Sequence, residues 1–152
     1  MEIQLLTEYF GYSLDARSID VNVGIWDRPY SPYGNNIRFP ESYFTDSGAL
    51  DLANPVIAAQ LAHEATHVWQ RQHGEWATTR AVPLQIARTC TGGLLDPYAD
   101  DTSQSDPALL LGDFLRGSVE QQGAMVQDFV YFDRVGGDTS QFSDLRRYLR
   151  GR

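Results

Sequence analysis

The sequence predicts one α+β domain that is mostly helical and contains a small antiparallel β-hairpin or sheet. Three observations favour this class. Apolar residues recur at helical spacing in several segments, strict alternation is confined to one short segment, and 152 residues fit a single hydrophobic core. We therefore expect residues 1–152 to form one domain in which helices surround the strands.

The first third of the chain reads as a helix followed by two strands. Ile3–Phe10 has apolar residues at helical spacing and ends at Gly11. From Ile19 to Ile25, apolar residues alternate with polar or small ones, which is the period of a strand with one buried face. Pro and Gly in Asp27–Asn36 predict a loop before a short strand at Ile37–Phe39, and antiparallel pairing is the simplest arrangement.

The rest of the chain reads as helices and one long loop. The strongest helix begins after an N-cap at Asn54, with Pro55 in its first position, and runs to about His73 before Gly74. The other predicted segments are a helix at Trp76–Cys90 kinked at Pro83, a loop at Gly92–Pro107, a helix from Val119 to about Phe132 after a capping box of Ser118 and Gln121, and a helix from Ser143 to about Arg150.

Composition and charge exclude several classes of protein. Hydrophobic residues make up 42% of the chain, while 12 Lys and Arg against 20 Asp and Glu give a net charge of −8. This negative net charge argues against sequence-independent binding to nucleic acid and against binding to an anionic membrane surface. Cys90 is the only cysteine, which excludes an intrachain disulfide and a cysteine-rich zinc module.

The N-terminal segment carries no secretory signal pattern. It lacks a basic stretch followed by an apolar core, and no run of the chain approaches the roughly 18 apolar residues of a membrane span. We expect a protein made in the cytoplasm, for which any action outside the cell requires export without a classical signal, or a carrier.

The long helix contains the string His63-Glu64-Ala65-Thr66-His67. Four residues at 3.6 per turn place the two imidazoles roughly 40° apart on one face, where both can ligate one ion. Glu64 projects beside that ion and is positioned to take a proton from a metal-bound water. Two neighbouring buried histidines without a metal would need other partners, so the string predicts a zinc site with Glu64 as general base.

Two residues compete as the third protein ligand. His73 lies six residues after His67, the spacing of the metzincin pattern HExxHxxGxxH, but Gln70 occupies the glycine position of that pattern. If the helix continues to Gly74, His73 points roughly 240° away from His67 and cannot reach the ion.

Glu120 is the alternative ligand. It falls in the first turn of a predicted helix, where the helix dipole favours a charged carboxylate. Gly123, one turn further on, leaves room for that helix to approach the first one. Asp128, two turns on, is either an outer partner for a histidine ring or a solvated acid.

A family resemblance favours Glu120. The string from His63 to Gln70, followed about fifty residues later by Val119-Glu120-Gln121-Gln122-Gly123, resembles the HExxH zinc metallopeptidase domains, gluzincin-like zincins, associated with type VI secretion spike (VgrG) proteins. The likeness includes the N-terminal helix and the strand after it, and so covers most of the chain. It implies a zincin-like fold, zinc ligands His63, His67 and Glu120, and Glu64 as the base. The segment between the motif and Glu120, which includes residues 96–106, has no counterpart in this resemblance.

The resulting expectation is a zinc metallopeptidase with a shallow, open site. The resemblance implies an antibacterial effector, a toxin that a type VI system delivers into rival cells, with an immunity protein and a secretion spike or chaperone as partners. The substrate stays open between proteins and cell-wall peptides. The alternative function is a non-catalytic structural or adaptor domain in which zinc locks two helices together.

Two tyrosines and one strand have candidate roles around the site. Tyr98 and Tyr131 are candidates for stabilising the oxyanion, although a packing role is the more frequent one for a tyrosine. The strand ending at Phe39 offers an edge on which an extended peptide can pair, or is a simple core hairpin. Trp69 is expected in the core rather than in a cleft.

Overall fold

The structure is a computed structural model that describes residues 1–74 and 105–151. It confirms the mostly helical α+β class with a small sheet. The described helices and strands are α1 (Glu2–Phe10), β1 (Asp20–Val23), β2 (Asn36–Phe39), α2 (Pro55–Gln72), α3 (Pro107–Arg116), α4 (Val119–Arg134) and α5 (Ser143–Leu149). The helix predicted at Trp76–Cys90 and nearly all of the predicted loop Gly92–Pro107 lie outside the described residues.

The two strands pair in parallel, so the predicted antiparallel hairpin is wrong. Asp20 lies opposite Asn36, and Val23 lies opposite Phe39. The connection, residues 24–35, has the dozen residues that a parallel pair requires, so the chain returns to the start of β1 before β2 begins.

The chain reversal expected between the strands falls inside the connecting loop instead. Tyr30 and Arg38 form an antiparallel bridge in which each backbone N–H donates to the other residue's carbonyl, at 2.9 and 2.8 Å. At the end of β2, the Gly24 N–H donates to the Phe39 carbonyl from the opposite side, at 2.8 Å. Both sides of β2 are thus paired within the chain, which contradicts its candidate role as a free edge for a peptide.

Only the first half of the predicted strand Ile19–Ile25 has a buried face. Ile19 and Val21 pack against the core, whereas Val23 is 53% exposed and Ile25 is 90% exposed. The alternation therefore predicted the strand correctly but overestimated both its length and its burial, because a sheet of two short strands covers little of the core.

The sequence signals at the ends of α2 operate as predicted. The Asn54 side chain accepts a hydrogen bond from the Val56 N–H, and Pro55 takes the first helical position. At the other end, α2 stops at Gln72, and Gly74 adopts a φ of 83°, which is costly for other residues. The helix presents an almost continuous buried surface to the core, including Ala58, Leu61, Ala62, Ala65 and Val68.

Helix α4 begins with the predicted capping box. The Ser118 side chain accepts from the Gln121 N–H, and the Gln121 side chain accepts from the Ser118 N–H. Helix α3 was not predicted, although Asp106 caps it and Pro107 occupies its first position, the same signals that mark α2. The predicted C-terminal helix is present as α5.

Helices α2 and α4 form the largest helix–helix contact among the described elements, and the core lies around them. Trp69 is 5% exposed and donates from Nε1 to Ser13 Oγ, so it is a core residue as predicted. None of the described helices is long and apolar enough to cross a membrane. The pairing of α2 with α4 is the feature that brings the candidate site together.

Candidate metal centre

Three predicted ligands converge between α2 and α4. His63 and His67 project from α2, and Glu120 is the second residue of α4. One potential ligand atom from each of the three lies within 4.8 Å of the other two. Glu120 Oε2 is 3.6 Å from His63 Nε2 and 3.5 Å from His67 Nε2.

These distances suit a shared ion better than direct hydrogen bonds. An N–H···O hydrogen bond spans about 2.7–3.2 Å, shorter than both contacts. Ligand atoms about 2.0–2.1 Å from a tetrahedral zinc lie about 3.3–3.4 Å from one another. Two nitrogens and one carboxylate oxygen are also a usual donor set for zinc. The donor set and the two distances to Glu120 are thus compatible with a zinc ion.

Gly123 allows α4 to approach the His63 imidazole. A Cβ at this position would lie 2.9 Å from His63 Nε2 and 3.0 Å from His63 Cε1. Because Gly123 follows Glu120 by about one helical turn, the missing side chain leaves space directly beside the ligand carboxylate. The role expected for this glycine from the sequence matches the geometry.

The cluster concentrates opposite charges in a buried place. Glu120 is 3% exposed, and this burial acts to raise its pKa, but the two histidines that face its carboxylate lower the pKa to about 2. For His67, burial acts to lower the pKa, but Glu120 and Glu64 reverse the shift, so the net pKa is raised. The acid is thus already deprotonated, as a metal ligand must be.

Glu64 lies beside the cluster and outside the ligand set. It is 9% exposed, and its negative charge raises the pKa of both His67 and Arg71, although burial lowers the Arg71 pKa overall. No hydrogen-bond donor in the described part of the chain engages its carboxylate. Its position beside the cluster makes Glu64 the candidate proton acceptor among the described residues.

Gln70 makes an outer contact to His67. Gln70 Oε1 is 3.0 Å from His67 Nδ1, the ring nitrogen turned away from Glu120. The sequence analysis gave Gln70 no such role. Its position three residues after His67, on a neighbouring part of the same helix face, is the signal that predicts this contact. The corresponding nitrogen of His63 is buried without a hydrogen-bond partner among the described residues.

His73 does not join the cluster. Helix α2 continues to Gln72, and His73 Nδ1 donates to the Trp69 carbonyl at 2.8 Å while its ring packs against the Trp69 ring. The metzincin arrangement considered for His73 is therefore wrong, because the chain does not leave the helix at Gln70.

The oxyanion candidate Tyr131 lies away from the cluster. Tyr131 lies eleven residues after Glu120 on α4, which is about 16 Å along the helix axis, and it is 39% exposed. Tyr98 lies outside the described residues.

Comparisons of the chain with protein-family models, with curated proteins and with solved structures found no match.

Proposed function

We propose that this protein is a zinc-dependent peptidase with its active site between α2 and α4. The observation that carries the proposal is the spacing of 3.5–3.6 Å between Glu120 Oε2 and the two histidine nitrogens, with Glu64 beside them. Three ligand atoms with one adjacent carboxylate are an arrangement that metal-assisted hydrolysis can use.

Three protein ligands from the described residues are the number that a catalytic zinc site uses. In residues 1–74 and 105–151, the group that can hold an ion has three members. A structural zinc site closes with four protein ligands, whereas a catalytic one keeps a position for water or substrate. When bound there, zinc supplies Lewis acidity toward a carbonyl and lowers the pKa of a coordinated water to about 7.

Glu64 is the proposed general base. Glu64 stands next to His63 in the chain and about one turn before His67, so it lies close to the cluster. There it accepts the proton of the attacking water on a carboxylate oxygen and later returns a proton to the leaving amine. A positioned acid–base group of this kind contributes about 10²–10⁴-fold to a rate.

The proposed substrates are peptide bonds in proteins or in cell-wall peptides. The resemblance described above supports a setting in which the enzyme acts as an antibacterial effector of type VI secretion, with an immunity protein and a secretion spike or chaperone as partners. Assays of zinc-loaded protein against unfolded proteins and against peptidoglycan stem peptides separate the two substrate classes.

The first experiment replaces the base while keeping the ligands. Glu64→Gln is expected to bind zinc with wild-type stoichiometry and to lower peptide hydrolysis by at least 10²-fold, because the amide accepts no proton. The matched variant His67→Ala is expected to lose zinc as well as activity. Metal content by mass spectrometry and cleavage rates measure both. Full activity in Glu64→Gln would show that the base is assigned wrongly.

A structural zinc site is the second candidate. It is favoured by the location of the ligands on two different helices, which an ion would cross-link. The coordination number decides between the two functions: cobalt-substituted protein with four protein ligands and no exchangeable water would favour the structural role, as would the absence of cleavage of both substrate classes.

A further inference from the structure

Two buried glutamines link the cluster to the backbone of neighbouring helices. Gln70 is fully buried on α2, and Gln122 is 6% exposed on α4. Gln70 Nε2 donates to Gln122 Oε1 at 2.7 Å and to the Val119 carbonyl at 3.1 Å. Gln122 Nε2 in turn donates to the Phe114 carbonyl at 3.1 Å. The chain of contacts ends at His67, where Gln70 Oε1 lies 3.0 Å from Nδ1.

Backbone carbonyls fix which atom donates and which accepts in this series of hydrogen bonds. A carbonyl oxygen only accepts hydrogen bonds, so the Phe114 carbonyl requires the NH₂ group of Gln122 and leaves its oxygen facing Gln70. That oxygen and the Val119 carbonyl then engage both hydrogens of the Gln70 amide. The Gln70 oxygen is the only part of the amide left to face His67.

The consequence for His67 is a defined tautomer. Since the Gln70 oxygen accepts and cannot donate, the His67 ring satisfies it by carrying its proton on Nδ1. The lone pair of the neutral ring is then on Nε2, the nitrogen that faces Glu120. His63 Nδ1 has no such partner among the described residues, so the two histidines are not held equally.

We propose that Gln70 is a positioning residue that presets His67 as a metal ligand, with Gln122 orienting Gln70. This inference rests on the proposed metal site and adds a requirement to it: the ligand is held in its metal-binding tautomer before the ion arrives. A buried amide costs free energy unless its oxygen and nitrogen find partners, and here each of these atoms in both glutamines has at least one.

Two substitutions of Gln70 separate this role from simple packing. Gln70→Met and Gln70→Glu both lose the donor to Val119 and Gln122, but only Glu keeps an acceptor for His67 Nδ1. We expect Gln70→Met to weaken zinc affinity roughly 10–100-fold, the usual effect of losing an outer partner of a histidine ligand, and Gln70→Glu to stay within threefold of wild type. Gln72→Met, at an exposed glutamine on the same helix, is the control and is expected to leave the affinity unchanged.

Zinc affinity is measured by competition with a chelator, and ¹H–¹⁵N correlation spectra of the histidine rings supply a second readout. The spectra are expected to show His67 protonated on Nδ1 in zinc-loaded wild-type protein and in zinc-free wild-type protein at a pH where the ring is neutral. Equal loss of affinity in Gln70→Met and Gln70→Glu, or an Nε2–H tautomer in the zinc-free wild type, would overturn the proposal. Absence of zinc binding by wild type would refute the proposed function. The spectrum of the zinc-free wild type tests the role of Gln70 separately, and it does so even if a variant fails to fold.

Discussion

Gly123 is the residue at which α4 comes closest to the His63 imidazole. We predict that Gly123→Ala lowers stability by about 1–3 kcal/mol, because the added methyl overpacks a site with no space for it. The same variant is expected to weaken zinc binding, since the ring must move away from the position it shares with Glu120. Urea unfolding and zinc titration measure the two effects.

Gly112→Ala is the matched control on α3. A Cβ there meets only the flexible end of the Arg116 side chain, at 3.2 Å, so the usual advantage of Ala over Gly inside a helix is expected, about 0.5–1 kcal/mol. Zinc affinity should not change. An equal gain in stability in Gly123→Ala would contradict the close approach described for His63.

The opposite pKa shifts of Glu120 and His67 predict a pH optimum for the stability of the metal-free protein. The pKa of Glu120 falls from 4.5 to about 2 on folding, so its contribution is present above pH 4.5 and is lost as the pH falls toward 2. The pKa of His67 is raised above 6.5, so its contribution is full below pH 6.5 and is lost as the pH rises through the raised value. Glu120 and His67 are therefore expected to stabilise the folded, metal-free protein most between pH 4.5 and pH 6.5.

This prediction is tested by urea unfolding with a chelator present, across the pH range, in wild type and in Glu120→Gln. The difference in unfolding free energy between the two proteins isolates the pair from the other titrating groups. This difference in free energy is expected to shrink as the pH falls below 4.5 and as it rises through the raised pKa of His67. A difference that does not depend on pH would mean that Glu120 and His67 are not coupled.

At the scale of elements, two N-caps allow the stability of a helix to be separated from the geometry of the site. Asn54→Ala and Ser118→Ala each remove a cap and are each expected to cost about 1 kcal/mol. Only Ser118 caps the turn that carries Glu120, since Asn54 lies nine residues before His63. We therefore expect weaker zinc binding in Ser118→Ala alone, measured by titration under conditions where both variants are folded.

Equal zinc affinity in the two cap variants would show that the first turn of α4 does not need its cap to hold Glu120 in place. Loss of zinc affinity in Asn54→Ala would show instead that any loss of helix stability affects the cluster, and the specific link between Ser118 and Glu120 would be wrong.

The helices were predictable from sequence where local signals mark their ends. Asn54, Gly74 and the Ser118–Gln121 box each act within one turn of chain, so their effect does not depend on the rest of the fold. The pairing of the strands was not predictable in this way. The relative direction of β1 and β2 depends on the path of the loop at residues 24–35. The alternation of apolar residues in β1 contains no information about that path.

The candidate site also combines features that follow from local sequence with features that depend on tertiary packing. The spacing of His63 and His67 follows from helix geometry alone, and the structure brings Glu120 to them as the sequence indicated. The Gln70–Gln122 contact depends on how α2 and α4 pack across 52 residues of sequence, so no local pattern predicts it. The approach of Gly123 to His63 was expected from a single missing side chain.

At the scale of the whole molecule, the site joins helices that form the largest contact of the described fold, so an ion there should stabilise the folded state. Zinc at 100 times its Kd is expected to add about 2.7 kcal/mol and to raise the melting temperature by roughly 5–10 °C, reversibly on adding a chelator. His67→Ala should show no such shift in a thermal melt. A similar rise in that variant would place the ion elsewhere.

The most direct measurement of the central claim is anomalous diffraction at the zinc absorption edge from crystals grown with zinc. We expect one strong peak between α2 and α4, with His63 Nε2, His67 Nε2 and a Glu120 carboxylate oxygen each about 2.0–2.2 Å from it. A peak bound by other residues, or none between these three side chains, would contradict it.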